Sequence, residues 1–582
     1  MGELGERLRT AREAKELTLE QVAEGTRIPV NSLQALEQES FTGFTSDLHA
    51  RGFLRNYASY LGLDPDEISE LYALLRGKPV PKRKVLLSEA PARSGRTSTL
   101  LADALLALVL VAVLTLGGLS IHQFRLQREA TPTAGPLSTP TATPMPVFEG
   151  TEYTLDVHLN YADHRLDVRE RIDYTNVTSE TLTNLVLNIH PNHSRGAFKL
   201  NDIRVDVDGE LVPPLVTPLD VTLRVELPRE LKARDHVALF LNFTLNLPQI
   251  SPDAEFSDAG FGYSKRSISL GNWYPVLAPY RGDKGWYALT YFPVGDPYVT
   301  EVADYQVTIT ATEGIVIAGS GKETLTGNVW RYEVEKARSF AFAASDRYQV
   351  SSTQAGDVRL TTYTFPDNQA AAEAVLQTGS QAIQLFDELY GPYPYGDYRV
   401  AETEFAGGLE FTGLTFLGSA FFDQYDGTSR NALIPLTAHE VSHQWFYGIV
   451  GSDQITEPWL DESIAEYSAY LYYERILPGD ADWWWNFAVD QWAPGGRIDS
   501  LIYEFRDNRG YVDAVYRRGA QFIRDLRKTM GDPAFFDFLR EYQRRHAYRL
   551  VTSKDFFELV REYTTADLVQ LQEEYFRQRI LP

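Results

Sequence analysis

HEVSHQWFYGIVGSDQITEPWLDESIAEY, from His439 to Tyr467, is the stretch on which the reading of this chain turns. On an α-helix, positions i and i+4 lie one above the other, so His439 and His443 present two imidazoles on one face, a pair suited to a tetrahedral zinc ion. Glu440 projects beside them, where a carboxylate can take a proton from water that a metal has acidified. Nineteen residues after His443 comes Glu462, inside WLDESIAEY, on what reads as a second helix able to bring a third ligand. Two histidines and one glutamate leave a fourth position open, the mark of a catalytic rather than a structural zinc site.

HExxH alone also arises by chance, as a solvated helix face with two incidental histidines. Here the chain has 10 histidines, yet between Val237 and Arg545 only these two occur, four residues apart. The chain contains no cysteine, so any metal must sit on His, Asp or Glu.

With its trailing Glu462, the segment resembles the aminopeptidase N family of gluzincin peptidases, whose signature is HExxH, 18 residues and a Glu in a W-L-N-E-like context. Asp461 stands in place of that Asn and keeps a short polar side chain able to orient a ligand. Glu466 is a further candidate for such a contact, or a solvated acid. AGGLEFTGLTF, Ala406 to Phe416, resembles the family's G-A-M-E-N strand, aligning Gly407, Gly408, Leu409, Glu410 and Phe411. The resemblance implies that Glu410 pairs with a substrate's free α-ammonium and that Gly407 and Gly408 let an extended peptide approach. Phe411 replaces the usual Asn, and a glycine-rich edge strand bearing an exposed acid is the plainer reading. AVYRRGAQF, Ala514 to Phe522, resembles the family's Y-x-K-G segment, with Arg518 in place of Lys. That implies Tyr516 as the hydrogen-bond donor to the tetrahedral oxyanion. GNWYPVLAPY, Gly271 to Tyr280, looks like part of the family's β domain, or simply a packed aromatic turn.

Taken over residues 148 to 575, the resemblance implies a zinc metallopeptidase with one Zn2+, acting on peptide substrates and expected to remove N-terminal residues. The alternatives are an endopeptidase of the same mechanism, and a peptide-binding receptor or scaffold. Only about 65 residues follow Tyr516, which implies an open cleft.

At 582 residues the chain must divide into several cores. Period-two runs such as Leu155, Val157 and Leu159, or Leu185, Leu187 and Ile189, predict a β-rich, sandwich-like domain over 148–350. Helical patterns over 368–390, 432–448, 462–473, 518–530 and 553–564 predict an α+β, thermolysin-like, mainly helical catalytic domain over 351–582. Ala104 to Ile121 is uncharged for 18 residues, long enough to span a hydrocarbon core, and predicts a single transmembrane helix over 99–122. Residues 76–98 form a basic juxtamembrane linker, and 123–147 a linker rich in Pro and Thr. The positive-inside rule then puts the N-terminus in the cytoplasm and the catalytic part outside a cell membrane crossed once.

Residues 1–75 read as an all-α helix-turn-helix domain, with short helices at Leu4–Ala14, Thr18–Glu24 and Val30–Glu37. GERLRTAREAKELTLEQVAEGTRIPVNSLQALE and ARGFLRNYASYLGLDPDEI resemble the cytoplasmic domain of the RodZ cell-shape family, which implies a cytoplasmic protein partner. The segment that would enter a DNA groove, 29–40, carries Glu37 and Glu39 and no basic side chain, which disfavours nucleic acid. The first 98 residues are neutral overall, so the net charge of −24 lies almost wholly beyond them.

Overall fold

The computed structural model describes residues 150–581 apart from 220, 252–253, 255–259 and 289–290, together with 3–15, 17–19, 21–22, 30–39 and scattered positions between 54 and 72. They fall into two compact units, one within 1–141 and one within 142–582.

In the N-terminal unit, helices Glu3–Ala14 and Val30–Glu37 contribute Leu4, Leu8, Leu33 and Leu36 to an interior completed by Val22, Tyr57, Leu61 and Ile68. Glu37 is an interior group: Arg12 donates to both of its carboxylate oxygens, at 2.7 and 3.0 Å, and Tyr57 donates to it at 2.5 Å. Glu39 accepts from the Gly5 amide. The acidity counted above against DNA is thus engaged within the unit. Only part of the expected helix Thr18–Glu24 lies among the described residues.

The expected transmembrane helix is corrected. Among the described residues no helix is both long and apolar enough to cross a membrane. The longest, Gln369–Tyr390, is amphipathic, burying Val375, Ile383, Phe386 and Leu389 while keeping Glu373, Gln377 and Glu388 on its polar side. The stretch that carried the expectation, 99–122, and the linkers 76–98 and 123–147 lie outside the described residues.

The β-rich part of the second unit is built on an eight-stranded sheet, in the order 322–326, 329–337, 303–311, 151–160, 165–175, 236–246, 198–207 and 210–212. Its strands alternate buried and exposed positions as the period-two runs predicted; Thr151–Asn160 is an example. Two four-stranded sheets pack against it around one core, so that Leu155, Leu187 and Leu270, one from each sheet, are all fully or nearly fully buried there. Trp273 and Tyr274 of the aromatic turn belong to this core.

Beyond it lies a five-stranded sheet, ordered 349–355, 358–364, 397–403, 414–418 and 408–411. The edge strand Gly408–Phe411 runs antiparallel to Leu414–Gly418. Of this sheet the sequence showed only the strand expected within Ala406–Phe416, because Asp397–Thr403 and Leu414–Gly418 are buried almost throughout and show no alternation. Helices Leu433–Ser442, Trp459–Ile476, Arg518–Met530, Asp532–His546 and Ser553–Tyr563 follow. The helix expected to run to Gly448 stops at Ser442, because the next turn is held from outside. The fully buried Arg338 donates to the carbonyls of Tyr447, Thr300, Ile449 and Arg549, and Tyr447 sits at a φ of +133°, a strained region for a non-glycine residue. Gly451 is required here, since a Cβ would lie 2.2 Å from the Arg338 guanidinium carbon.

One buried acid in the β core carries a prediction. Glu170 is 2% exposed, neither carboxylate oxygen has a hydrogen-bond partner, and burial raises its carboxyl well above the usual range. The folded chain therefore holds this proton more tightly than the unfolded chain, so rising pH above about 4.5 favours unfolding. Glu170→Met is expected to raise the urea midpoint, with a gain of about 1–3 kcal/mol at pH 8 and a smaller one at pH 5. An equal gain at both pH values would contradict the assignment.

Candidate active site

Two helices make the site. Leu433–Ser442 carries His439 and Glu440 and ends at His443; Trp459–Ile476 carries Asp461, Glu462 and Glu466. His439, Glu440, His443, Asp461 and Glu462 are each at most 5% exposed. The His439 and His443 Nε2 atoms lie 3.0 Å apart, and Glu462 Oε2 lies 3.3 Å from the first and 3.5 Å from the second. A tetrahedral zinc ion with bonds of about 2.0–2.2 Å needs ligand atoms about 3.3–3.6 Å apart, so both Glu462 separations match and the two imidazoles need to part by only a few tenths of an ångström.

The other ring nitrogens explain why these atoms face one another. His439 Nδ1 meets Glu466 at 3.0 Å. His443 Nδ1 meets Asp461 at 2.7 Å and the Phe446 carbonyl at 3.1 Å. Carboxylates at Nδ1 hold that proton there and turn the Nε2 lone pairs inward. Three lone-pair donors then converge, and Glu462 Oε2 has no hydrogen-bond donor to satisfy it. The Asp461 and Glu466 contacts proposed from the sequence are both present.

The cluster requires positive charge. Burial alone drives the His439 imidazole down, but Glu462 and Glu466 outweigh it and hold it at about 9. For Glu462 burial acts upward, yet the two histidines bring it to about 2. Burial raises Glu440 to about 7 against the pull of the same histidines. Its Oε2 has no partner, and its Oε1 occupies the space beside Gly408, where a Cβ would lie 2.0 Å from it. Gly407 has no such need, since its Cβ would meet only Phe405 at 3.6 Å.

Glu410, on the edge strand, is 8% exposed and accepts from Gln454 Nε2 at 3.1 Å. The same amide donates to Asp461 at 2.8 Å, tying Glu410 to the carboxylate that orients His443. Phe411 turns into the core against Gly271. Tyr516 stacks on His439, with ring centroids 5.5 Å apart and planes 3° from parallel, in a π-helical turn over Val512–Arg517, a deviation frequent at functional sites. Tyr511 packs edge-on against it and is wholly buried. Burial and Glu462 keep the Tyr516 phenol protonated.

Two residues escaped the sequence reading. Asp296, 5% exposed on a loop of the β-rich part, brings a carboxylate oxygen within 4.8 Å of ligand-type atoms of Glu410 and Glu462. Gln454 is the other. Neither sits in a recognisable spacing; only the fold brings them in. All the candidate residues line or adjoin one cavity of about 340 Å³ bounded by Asp296, Gly407, Gly408, Glu410, Glu440 and Tyr516.

Because a metal must displace the protons held at His439, zinc affinity is expected to fall about tenfold or more per unit as pH drops from 8 to 6. Calorimetry in buffers of different ionisation enthalpy should show proton release on binding. An affinity independent of pH would contradict the protonated state of His439 in the metal-free cluster.

Comparison with known proteins agrees with this geometry. Residues 7–68 match a helix-turn-helix domain, and residues 375–575 match the Peptidase family M1 domain. Aminopeptidase M1 of Arabidopsis thaliana is 28% identical over 225 residues, 36% of this chain and 25% of that protein. Aminopeptidase N of Streptomyces lividans is 28% identical over 297 residues, 46% of this chain and 34% of that protein. The chain thus spans about a quarter to a third of the length of these relatives. Its fold is similar to that of an M1 zinc metallopeptidase from Deinococcus radiodurans, with a TM-score of 0.54 and 18% identity over 74% of this chain and 95% of that one. Behind an N-terminal helix-turn-helix domain, the chain therefore carries a Peptidase family M1 domain over residues 375–575.

Proposed function

We propose that the unit within residues 142–582 is a zinc-dependent aminopeptidase that hydrolyses the first peptide bond of peptides with a free N-terminus. The observation that carries this reading is the convergence of His439, His443 and Glu462 on one point, with Glu440 and Glu410 on the same cavity. His439, His443 and Glu462 would hold one zinc ion, which when bound would supply Lewis acidity toward a carbonyl and toward water.

The chain's own groups do the rest. Asp296 and Glu410 hold the substrate ammonium: both are buried, burial raises both carboxyls well above the usual range, and among the described residues no lysine or arginine hydrogen-bonds to either. The free edge of Gly408–Phe411 receives the extended peptide by strand addition. Glu440 takes the proton from the attacking water and returns it to the leaving amine. Tyr516, kept protonated, donates to the oxygen of the tetrahedral centre. Two buried acids beside the metal ligands support removal of single N-terminal residues over internal cleavage. For residues 7–68 we propose a protein-docking role, supported by their RodZ-like sequence.

Glu440→Gln is expected to bind zinc normally and to lose about 10²–10⁴-fold in kcat. Gly408→Ala places its Cβ against the mobile end of Glu440 rather than against backbone. It should fold and bind zinc as the parent does yet lose about 10²-fold in kcat, because the base is displaced. Near-parental turnover by either variant, free of contaminating peptidase, would refute the role of Glu440.

A further inference from the structure

The cavity over the ligands has two chemically different ends. Asp296 and Glu410 stand at one. The other is walled mainly by Phe421, Leu436, Phe487, Trp492 and Val512, with Glu466 at His439 and Arg517 over Trp492 also on the cavity. The Leu433–Ser442 helix fixes their order along a bound peptide. Its C-terminal end, at His443, is the end near Glu410. Leu436 lies one turn before His439, about 4.5 Å along the axis in the opposite direction, and on the same face as His439 and Glu440. A peptide with its ammonium at Glu410 and its first carbonyl at the ligands advances about 3.4 Å per residue. Its second side chain therefore arrives at the apolar wall. The edge strand agrees, since a peptide added antiparallel to Gly408–Phe411 runs from Glu410 back past Gly407 and Ala406, which line the same cavity.

The wall is fixed before any ligand arrives. Trp492 Nε1 donates to the Phe487 carbonyl at 2.9 Å. The Arg517 and Arg509 guanidinium groups lie over its ring, 4.3 and 4.5 Å from the centroid. Arg517 is held in turn by Asp513 at 2.5 Å and the Ala488 carbonyl at 3.1 Å, so its charge is matched. A preordered surface loses little entropy on binding, and with Arg517 and Glu466 already engaged by Asp513 and His439 it rewards a large apolar side chain more than a polar one that must give up its water.

We infer that this enzyme selects peptides by their second residue, the one immediately after the scissile bond, and that the residue selected is large and apolar or aromatic. The inference rests on the aminopeptidase reading above. The test uses the zinc-loaded full chain and free-amine tripeptide amides Ala-Xaa-Ala, with Xaa as Gly, Ser, Asp, Lys, Leu, Phe or Trp. The expected kcat/KM for Leu, Phe and Trp exceeds that for Gly, Ser and Asp by about 10- to 100-fold. In Trp492→Ala, and separately in Leu436→Ala, the Phe-to-Gly ratio should fall at least about fivefold. Measured within one preparation, that ratio is indifferent to how much of a variant folds. Turnover with a Phe-to-Gly ratio near one, or a preference for Asp or Lys, overturns the inference and leaves the aminopeptidase reading standing. No turnover of any peptide removes both.

Discussion

The second unit is organised around a concentration of like charge that water cannot reach. Asp296, Glu410, Glu440, Asp461 and Glu462 are buried around two imidazoles, and among the described residues no lysine or arginine hydrogen-bonds to any of them. Two carboxylates 4 Å apart repel by about 4 kcal/mol even at an effective dielectric constant of 20. Burial and that repulsion raise the carboxyls of Asp296, Glu410 and Asp461, so that protons hold the place which a metal ion and, at the Glu410 end, a substrate ammonium would fill. The hydrogen bonds at His439 Nδ1 and His443 Nδ1 convert that charge into direction, since each fixes a proton on the far side of its ring.

Holding the cluster together falls to the surrounding packing. Trp459, which opens the Glu462 helix, is fully buried against Phe522, Phe556 and Phe576, with ring centroids 5.1–5.5 Å away, and donates to Ser553. Gly519 brings the Arg518–Met530 helix so close that a Cβ would fall 2.0 Å from Ser463 Oγ, while Ser463 donates to the Val515 carbonyl beside Tyr516. The short C-terminal helices thus act as a buttress for the two helices that carry Glu462 and Tyr516. On the other flank, Arg338 holds the turn after His443 through the Tyr447 and Ile449 carbonyls and ties it to those of Thr300 and Arg549, with no carboxylate bonded to it.

How much of this the sequence disclosed follows from where the information lies. His439, Glu440, His443 and Glu462 were legible because their geometry is set by one helical spacing and one short connection. Asp461 and Glu466 followed, being on the same helix as Glu462. The reason for Gly408 became visible only through Glu440, and Gly407 proved sterically unremarkable. Asp296 and Gln454 were not legible, because each reaches the site from a loop whose position depends on the packing of the β-rich part. The five-stranded sheet hid behind strands buried on both faces. The hydropathy run at 104–121 suggested a membrane span, whereas among the described residues no helix is both long and apolar enough to cross a membrane.

The central claim is that buried carboxylates at one end of the cavity recognise a free α-ammonium while the metal site cleaves the adjoining bond. Its most direct test compares a peptide with its N-acetylated form on the zinc-loaded protein. The account predicts that acetylation lowers kcat/KM by about 10²-fold or more, because it removes the cation that Asp296 and Glu410 await. Equal hydrolysis of both forms, abolished by chelation and restored by zinc, would contradict it.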